Sequence, residues 1–373
     1  MGENGRRILI LSENFGSGHT KAAKAIKEGI NYFHPDWSIN IIEVGAYLHP
    51  KINKLITTLY SKMLNHSPIL WKYIYYKNKD RMTKPQFNFI LHRFVYANLL
   101  KLILEYKPDV IITTHPFPGL IVSRLKRMGL NIPLHTVITD YGIHGFWVSK
   151  EVDYYYVSSQ KIRDILFNFG IENRQIFVTG IPTHPKFWRK NDRTEIRSKL
   201  GLKNIPTILL MGGGDGLGVN SGILDVLYKY CEKVQIIIVT GHNKKLYKRI
   251  NKNLSNYADN IHVYGFVDNI DELMDAADLL ITKPGGITSS EALNKGLPMI
   301  LLKAIPGQEE DNADFIQEHN FGVSLENLAT LENYLVNLIG QSEIFLKDFN
   351  LKNNFSGINV IEKIISNTIK KGA

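Results

Sequence analysis

The sequence predicts an α/β protein of two halves, each built on a parallel sheet, and three observations carry that prediction. Short apolar or β-rich runs alternate with helical stretches along most of the 373 residues, as in chains of β-α-β units. The pattern restarts after a polar, charged stretch at about Arg189–Asn204. The unusual residues gather in loops that follow the runs, where open α/β sheets bind ligands, beyond the carboxyl ends of their strands. Two Rossmann-like halves facing a cleft is the economical architecture.

In the first half, Arg7–Ser12 reads as a strand, followed by a Gly-containing turn and a helix from about Thr20 to Tyr32. Ile39–Val44, Val110–Thr114, Leu134–Thr139 and Tyr154–Val157 are the next strands. The insertion after the second strand, Tyr47–Lys107, is expected to be helical. In the second half the strands are Thr207–Met211, Gln235–Thr240, His262–Tyr264, Leu279–Thr282 and Met299–Leu302. The tail from about Phe355 to Lys370 has the spacing of an amphipathic helix. The expected domains are 1–195 and 196–350, with a C-terminal helix in 351–373 packing back on the first.

Composition excludes several classes. With 44% hydrophobic and 21% charged residues the chain is neither disordered nor fibrous. A single cysteine, Cys231, excludes a disulfide framework and a Cys-rich zinc site and fits a reducing cytoplasm. No apolar run approaches the roughly 18 residues of a membrane span. Ile8–Leu11 is too short for a signal peptide, and Arg6 stands where a myristoylation motif at Gly2 needs Ser or Thr.

The net charge of +10 is concentrated. Tyr47–Lys107 holds eleven basic residues, among them Lys62, Lys72, Lys77, Lys79 and Arg81, against Asp80 and Glu105. Trp71 and many tyrosines share the segment. Basic side chains beside Trp and Tyr suit the headgroup level of an anionic membrane. Nucleic-acid binding uses the same composition but is the weaker reading, and a solvated basic face over an aromatic core is the plain alternative.

The loop after the first strand reads Glu13-Asn14-Phe15-Gly16-Ser17-Gly18-His19-Thr20. It is not a Walker A loop, since no Gly-Lys-Ser/Thr follows, and Lys21 stands where a Gly-x-Gly-x-x-Gly motif needs its third glycine. Its unusual member is His19, which the helix dipole should keep neutral and able to accept a proton near pH 7. Two other post-strand loops bring His115, then Asp140 with His144 and Trp147, to the same edge. Asp140 is placed to orient an imidazole and stabilise its protonated form.

In the second half, Gly212–Gly218 has five glycines in seven positions, a backbone able to wrap a pyrophosphate or sugar. The sharpest pattern is Thr282-Lys283-Pro284-Gly285-Gly286-Ile287-Thr288-Ser289-Ser290-Glu291. A strand ends, a Pro-Gly-Gly turn exposes amides, and a helix mouth suited to phosphate opens. Glu291 is placed to accept from ribose hydroxyls, and Gln308 and Glu309 from sugar hydroxyls. No two aspartates stand two apart, so the Asp-x-Asp of metal-dependent sugar transferases is absent and no catalytic metal is expected.

These residues resemble a known family. Gly16-Ser17-Gly18-His19, Thr139-Asp140 with His144 and Trp147, and Lys283-Pro284-Gly285-Gly286 with Glu291 look like the monogalactosyldiacylglycerol synthases and processive diacylglycerol glucosyltransferases. The likeness covers essentially the whole chain. It implies a GT-B fold, acceptor lipid on the first half, a UDP-sugar on the second, and metal-free inversion. On it, His19 is the base, with Asp140 supporting or competing, and Gly18, His115, His144 and Trp147 face the acceptor. Gly213, Gly214 and Gly286 approach the diphosphate or sugar, with Lys283, Gly285 and Thr288 also on the donor side, Glu291 holds the ribose, and Phe266 and Val267 meet uracil. Gln308 and Glu309 contact the donor sugar.

The implied activity is transfer of a hexose to diacylglycerol, with glucose favoured over galactose and further sugars possible. The implied setting is cytoplasmic, at the inner face of the cell membrane. Docking then falls to Lys62, Trp71, Lys72, Lys77, Lys79 and Arg81. The rival readings are a lipid I N-acetylglucosaminyltransferase, a UDP-sugar epimerase and a non-catalytic sugar-nucleotide sensor. One departure from the family is Ser17, which replaces a glycine in its first loop, and a positive φ there would be costly.

Overall fold

A computed structural model describes residues 5–79, 81, 98–214, 216, 218–253, 259–340, 347, 349–350 and 356–370. Lys84, Arg93 and four aromatics of the basic segment, Phe87, Phe89, Phe94 and Tyr96, lie outside them, as do Asp80, Asp215 and Leu217. The chain divides into two compact units: Met1–Pro185 with Ile305–Gln308 and Phe355–Ala373, and Lys186–Ala304 with Glu309–Asn354.

The first unit carries β1 (Arg7–Ser12), β2 (Ser38–Glu43), β3 (Val110–Thr113), β4 (Leu134–Val137), β5 (Tyr154–Val157) and β6 (Ile176–Val178) in one parallel sheet, order 2-1-3-4-5-6. Helices cover both faces of such a sheet, so its inner strands read as unbroken apolar runs. Ile8, Leu9, Ile10 and Leu11 are all buried. Helix α1 (Ser17–Phe33) starts from Gly16 at φ +81°. The left-handed residue is therefore Gly16, and Ser17 carries no such strain.

The basic insertion folds as α2 (Val44–Leu48), α3 (Pro50–His66) and α4 (Pro68–Lys77), each of the latter two starting with a proline. Proline suits a first helical position, where its missing N–H has no partner to lose. After α5 (Leu99–Tyr106), α6 (Pro116–Arg127) follows β3 and α7 (Gln160–Asn168) follows β5.

The second unit begins with α8 (Arg193–Lys199), capped by Asp192 and joined to Asp278 by Arg193 and by Arg197 at 2.7 Å. These pairs draw the expected linker into the second unit, so the division falls at Pro185 and not at 195. Its sheet holds β7 (Thr207–Met211), β8 (Gln235–Val239), β9 (Ile261–Tyr264), β10 (Leu279–Thr282), β11 (Met299–Leu301) and β12 (Gly322–Ser324), order 12-11-10-7-8-9, again parallel. Helices α9 (Ser221–Lys229), α10 (Lys244–Asn253), α11 (Ile270–Ala276), α12 (Gly286–Lys295), α13 (Gln308–Glu318) and α14 (Leu328–Gly340) alternate with the strands.

The last helix, α15 (Gly357–Lys370), belongs to the first unit. Val360, Ile361, Ile364 and Ile365 are buried on one face. A Cβ on Gly29 of α1 would sit 2.7 Å from Ile361 Cγ1, so α1 and α15 pack at a spacing only glycine permits. Asn367 Nδ2 donates to the Tyr156 hydroxyl at 3.0 Å.

Candidate active site

In each unit the strand order reverses once, and ligands in such sheets bind at that switch point. In the first unit it lies between β1 and β3, paired with Leu11 beside Thr113. The next loops carry His19 and His115, which brings together residues far apart in the chain. His19 Nδ1 lies 2.8 Å from the Thr114 carbonyl and 2.9 Å from Thr139 Oγ1. A carbonyl can only accept, so Nδ1 carries the proton and Nε2 is the basic nitrogen of the neutral ring. Burial lowers the His19 pKa to about 4, with the Thr114 carbonyl pulling the other way. Desolvation is thus the leading cause of its neutrality.

The His115 ring meets His19 edge-on at 4.7 Å and stacks on Phe15 at 5.3 Å. His115 Nδ1 accepts from the Phe117 amide at 3.3 Å, capping α6 and placing its proton on Nε2. Burial, then the neighbouring His19 and His144, hold its pKa well below the usual value. His144 is lowered to about 3, by burial first and His19 second. Its Nδ1 is buried without a hydrogen-bond partner among the described residues.

These imidazoles border a cavity of about 450 Å³ inside the first unit. Ile56, Leu59, Tyr60 and Met63 of α3 and Trp71 and Tyr75 of α4 form much of its wall. Phe15, Phe117, Phe146, Trp147, Asp140 and Gln308 are also in the lining. The size is that of a small-molecule pocket, and a mostly apolar wall with a few polar groups is the usual lining. Leu59 lines the cavity and is also 56% exposed, so the cavity reaches the surface along α3. The short helical turn Gly145–Trp147 is tied to the end of α4 by the Gly145 amide and the Asn78 carbonyl at 2.8 Å.

In the second unit the reversal lies between β7 and β10, with Met211 beside Thr282. The Gly-rich loop and the Lys283-Pro-Gly-Gly turn therefore emerge side by side. Gly213 has φ +71°, and a Cβ there would lie 3.0 Å from Lys283 Cε. Lys283 Nζ pairs with Glu309 Oε1 at 2.8 Å. The α12 N-terminus opens at Gly285 and Gly286, with Thr288, Ser289, Ser290 and Glu291 buried behind it. First-turn amides and the helix dipole make such an end an anion site. A third loop closes on the first: the His242 amide donates to the Gly214 carbonyl at 2.8 Å, and the His242 ring stacks on Phe266 at 4.5 Å.

A family model for monogalactosyldiacylglycerol (MGDG) synthase matches residues 19–183, and one for the glycosyltransferase family 28 C-terminal domain matches residues 207–348. The processive diacylglycerol beta-glucosyltransferase of Bacillus subtilis is 30% identical over 360 residues, covering 94% of this chain and 92% of that protein. The enzyme of the same name from Bacillus licheniformis is 32% identical over 320 residues, covering 85% and 82%. The chain belongs to this diacylglycerol glycosyltransferase family. Solved structures bear on its fold: MurG of Acinetobacter baumannii has a TM-score of 0.61 at 13% identity, covering 97% of this chain and 99% of that one. The UDP-GlcNAc 2-epimerase of Neisseria meningitidis scores 0.60 at 16%, covering 98% and 99%. The fold is GT-B, with two Rossmann-like domains, and this family member is a glycosyltransferase.

Of the sequence-predicted residues, His19, His115, Asp140, His144 and Trp147 line one cavity, and Gly18 lies in the α1 turn that carries His19. One correction follows: the orienting place at His19 Nδ1 is taken by Thr114 and Thr139, not by Asp140. Gln308 lines the first unit's cavity, and its neighbour Glu309 pairs with Lys283.

A second correction concerns Trp71. Expected to insert into a membrane, it faces inward: its ring packs on Tyr60 at 5.3 Å and its Nε1 is buried. The exposed apolar residues of α3 and α4 are instead Ile52, Leu55, Leu59, Ile69, Leu70, Tyr73 and Tyr76. Lys62, Lys72, Lys77 and Arg81 are exposed among them, whereas Lys79 is half-buried over the Tyr75 and Tyr76 rings. Among the described residues no helix is long and apolar enough to cross a membrane.

The residues that sequence reasoning missed are Thr114, Thr139 in its role at His19, Phe15, and Gly241 with His242. Thr114 and His242 carry one legible signal, a polar residue at or just beyond the carboxyl end of a strand. Their partners lie too far away in the chain to be read.

Proposed function

We propose that the protein is an inverting glycosyltransferase that moves a hexose from a UDP-sugar to the free hydroxyl of diacylglycerol. Glucose is the favoured sugar, and the product can accept further sugars. The observation that carries this reading is a neutral imidazole of fixed tautomer on the wall of an apolar cavity. Acyl chains fit the α3 and α4 wall, and the hydroxyl comes to His19 Nε2. That nitrogen takes the hydroxyl proton as the oxygen bonds to the anomeric carbon on the face opposite UDP. The sugar–phosphate bond breaks, and UDP leaves with the electron pair.

No metal takes part in this mechanism. The leaving diphosphate gains its stabilisation from preorganised donors, the first-turn amides of α12 and the Gly213–Gly214 backbone beside Lys283. Phe266 and Val267 flank the base, and Glu291 the ribose. The relatives' names support a glucosyl donor and a diacylglycerol acceptor.

The protein docks peripherally on the inner face of an anionic membrane. Lys62, Lys72, Lys77 and Arg81 supply the attraction, and Ile69, Leu70 and Tyr73 enter the headgroup layer. The test is glycolipid synthesis from UDP-glucose and from UDP-galactose, with diacylglycerol in anionic vesicles and EDTA present. Glucosyldiacylglycerol as the main product supports the reading, and no glycolipid from either donor overturns it.

A further inference from the structure

Helix α10 carries a cationic face that the glycosyl-transfer reading leaves unused. Leu246 and Ile250, one turn apart, are buried in the second unit's core at 5% and 1% exposure. Lys244, Lys245, Lys248, Arg249 and Lys252 are exposed on the outside. No acidic residue occurs from Lys244 to Ala258. None of the five cations has an ion pair or side-chain hydrogen bond with another described residue.

This arrangement works against folding. Lys244–Lys248, Lys245–Arg249 and Lys248–Lys252 are like-charged pairs four residues apart, which repel along a helix face. Lys244 and Lys245 also stand in the first turn, where the dipole favours acidic residues. The cations of α4 and of the turn after it differ, because Lys72, Lys77 and Lys79 lie over tyrosine rings. On α10 nothing in the described chain relieves the charge.

We propose that the outer face of α10 binds an anionic lipid surface, giving the second unit its own membrane contact apart from α3 and α4. The proposal rests on the membrane-lipid reading of the enzyme. Charge complementarity selects the partner class: five uncompensated cations on about two helical turns match a plane of phosphodiester headgroups. Tyr247, 39% exposed at the edge of this face beside Lys244, has the amphipathic ring found at headgroup level. The helix starts three residues after Gly241, which closes on Gly214, so the contact lies beside the donor loops.

The test is co-sedimentation of the full chain with phosphatidylglycerol-rich and with pure phosphatidylcholine vesicles. The variant K244Q/K245Q/K248Q/R249Q/K252Q is expected to lose about tenfold or more of its partition into the anionic vesicles and to show a shallower salt dependence. Its thermal midpoint should stay or rise, since repulsion is removed. The charge-conserving variant K244R/K245R/K248R/K252R should bind as the parent does.

Unchanged partition of the glutamine variant overturns the proposal. So does an equal loss in the arginine variant, which would report altered packing rather than charge. A preference of the parent for a DNA duplex over anionic vesicles at the same salt overturns it in favour of nucleic acid. Partition is read without turnover, so a parent that bound vesicles through α10 yet made no glycolipid would sink the enzymatic reading alone.

Discussion

The Nδ1 atom of His19 lies 2.8 Å from the carbonyl oxygen of Thr114, a residue 95 positions away in the chain. That contact fixes which nitrogen holds the proton, and so which one is basic. A backbone carbonyl does here what a carboxylate does in a Ser-His-Asp triad, without adding a negative charge. Thr139 adds a second oxygen at the same atom, from the loop that also carries Asp140.

Removing that second oxygen should matter less than removing the ring. Thr139→Val leaves the Thr114 carbonyl in place and should lower kcat by about tenfold or less. Loss of general-base help typically costs about 10²–10⁴ in rate, so His19→Ala should fall in that range. Asp140→Asn should retain more activity than His19→Ala, because the Nδ1 partners of His19 are Thr114 and Thr139. Steady-state kcat for the three variants checks the order.

Three neutral imidazoles set an acid limit on stability. The folded pKa values of His19 and His144 are lowered to about 4 and about 3, and that of His115 well below normal, burial leading in each. Unfolding returns the rings to ordinary basicity near 6.5, so the unfolded chain binds more protons once the pH drops below that value. Stability from these groups is fully present above about 6.5 and is lost as the pH falls towards 4. Each pH unit of difference corresponds to about 1.4 kcal/mol per group. Urea midpoints should fall across that window, and His144→Phe should flatten the decline.

The cavity offers a steric test. Gly307 has φ +101°, and a Cβ there would lie 3.0 Å from Tyr75 and 3.2 Å from Trp71 Nε1. Gly307→Ala should push α4 into the cavity and raise KM for diacylglycerol several-fold more than KM for the donor. Trp71→Phe, which removes the buried N–H but keeps most of the ring, should leave vesicle partition unchanged. A membrane-inserted Trp71 would give the opposite result.

The donor loops offer a second. Gly241 has φ +58°, and a Cβ on it would meet the Gly214 carbonyl oxygen at 2.2 Å. Gly241→Ala must shift that backbone, at a strain of about 1–2 kcal/mol for the left-handed conformation alone. UDP affinity measured calorimetrically should fall about tenfold or more while the first unit stays intact.

Ten strands were legible because a parallel sheet buried on both faces leaves unbroken apolar runs, as in Ile236–Val239. The two missed strands, Ile176–Val178 and Gly322–Ser324, are three-residue edges with exposed or half-buried members and no such run. The site motifs were legible because the switch-point loops hold glycines and histidines in short stretches. Partners across the sheet were not, since nothing near His19 in the chain announces Thr114 or Thr139. Trp71 was misread for a related reason: composition gives a segment's character, but only packing against Tyr60 and Tyr75 decides which face of α4 an aromatic occupies.

The most direct measurement is transfer from radiolabelled UDP-glucose to diacylglycerol in anionic vesicles, with EDTA, for the parent and for His19→Ala. The expected result is glucosyldiacylglycerol that persists in EDTA and falls by about 10²–10⁴ in the variant. Activity that needs added divalent cation, or that survives intact in His19→Ala, would contradict the account.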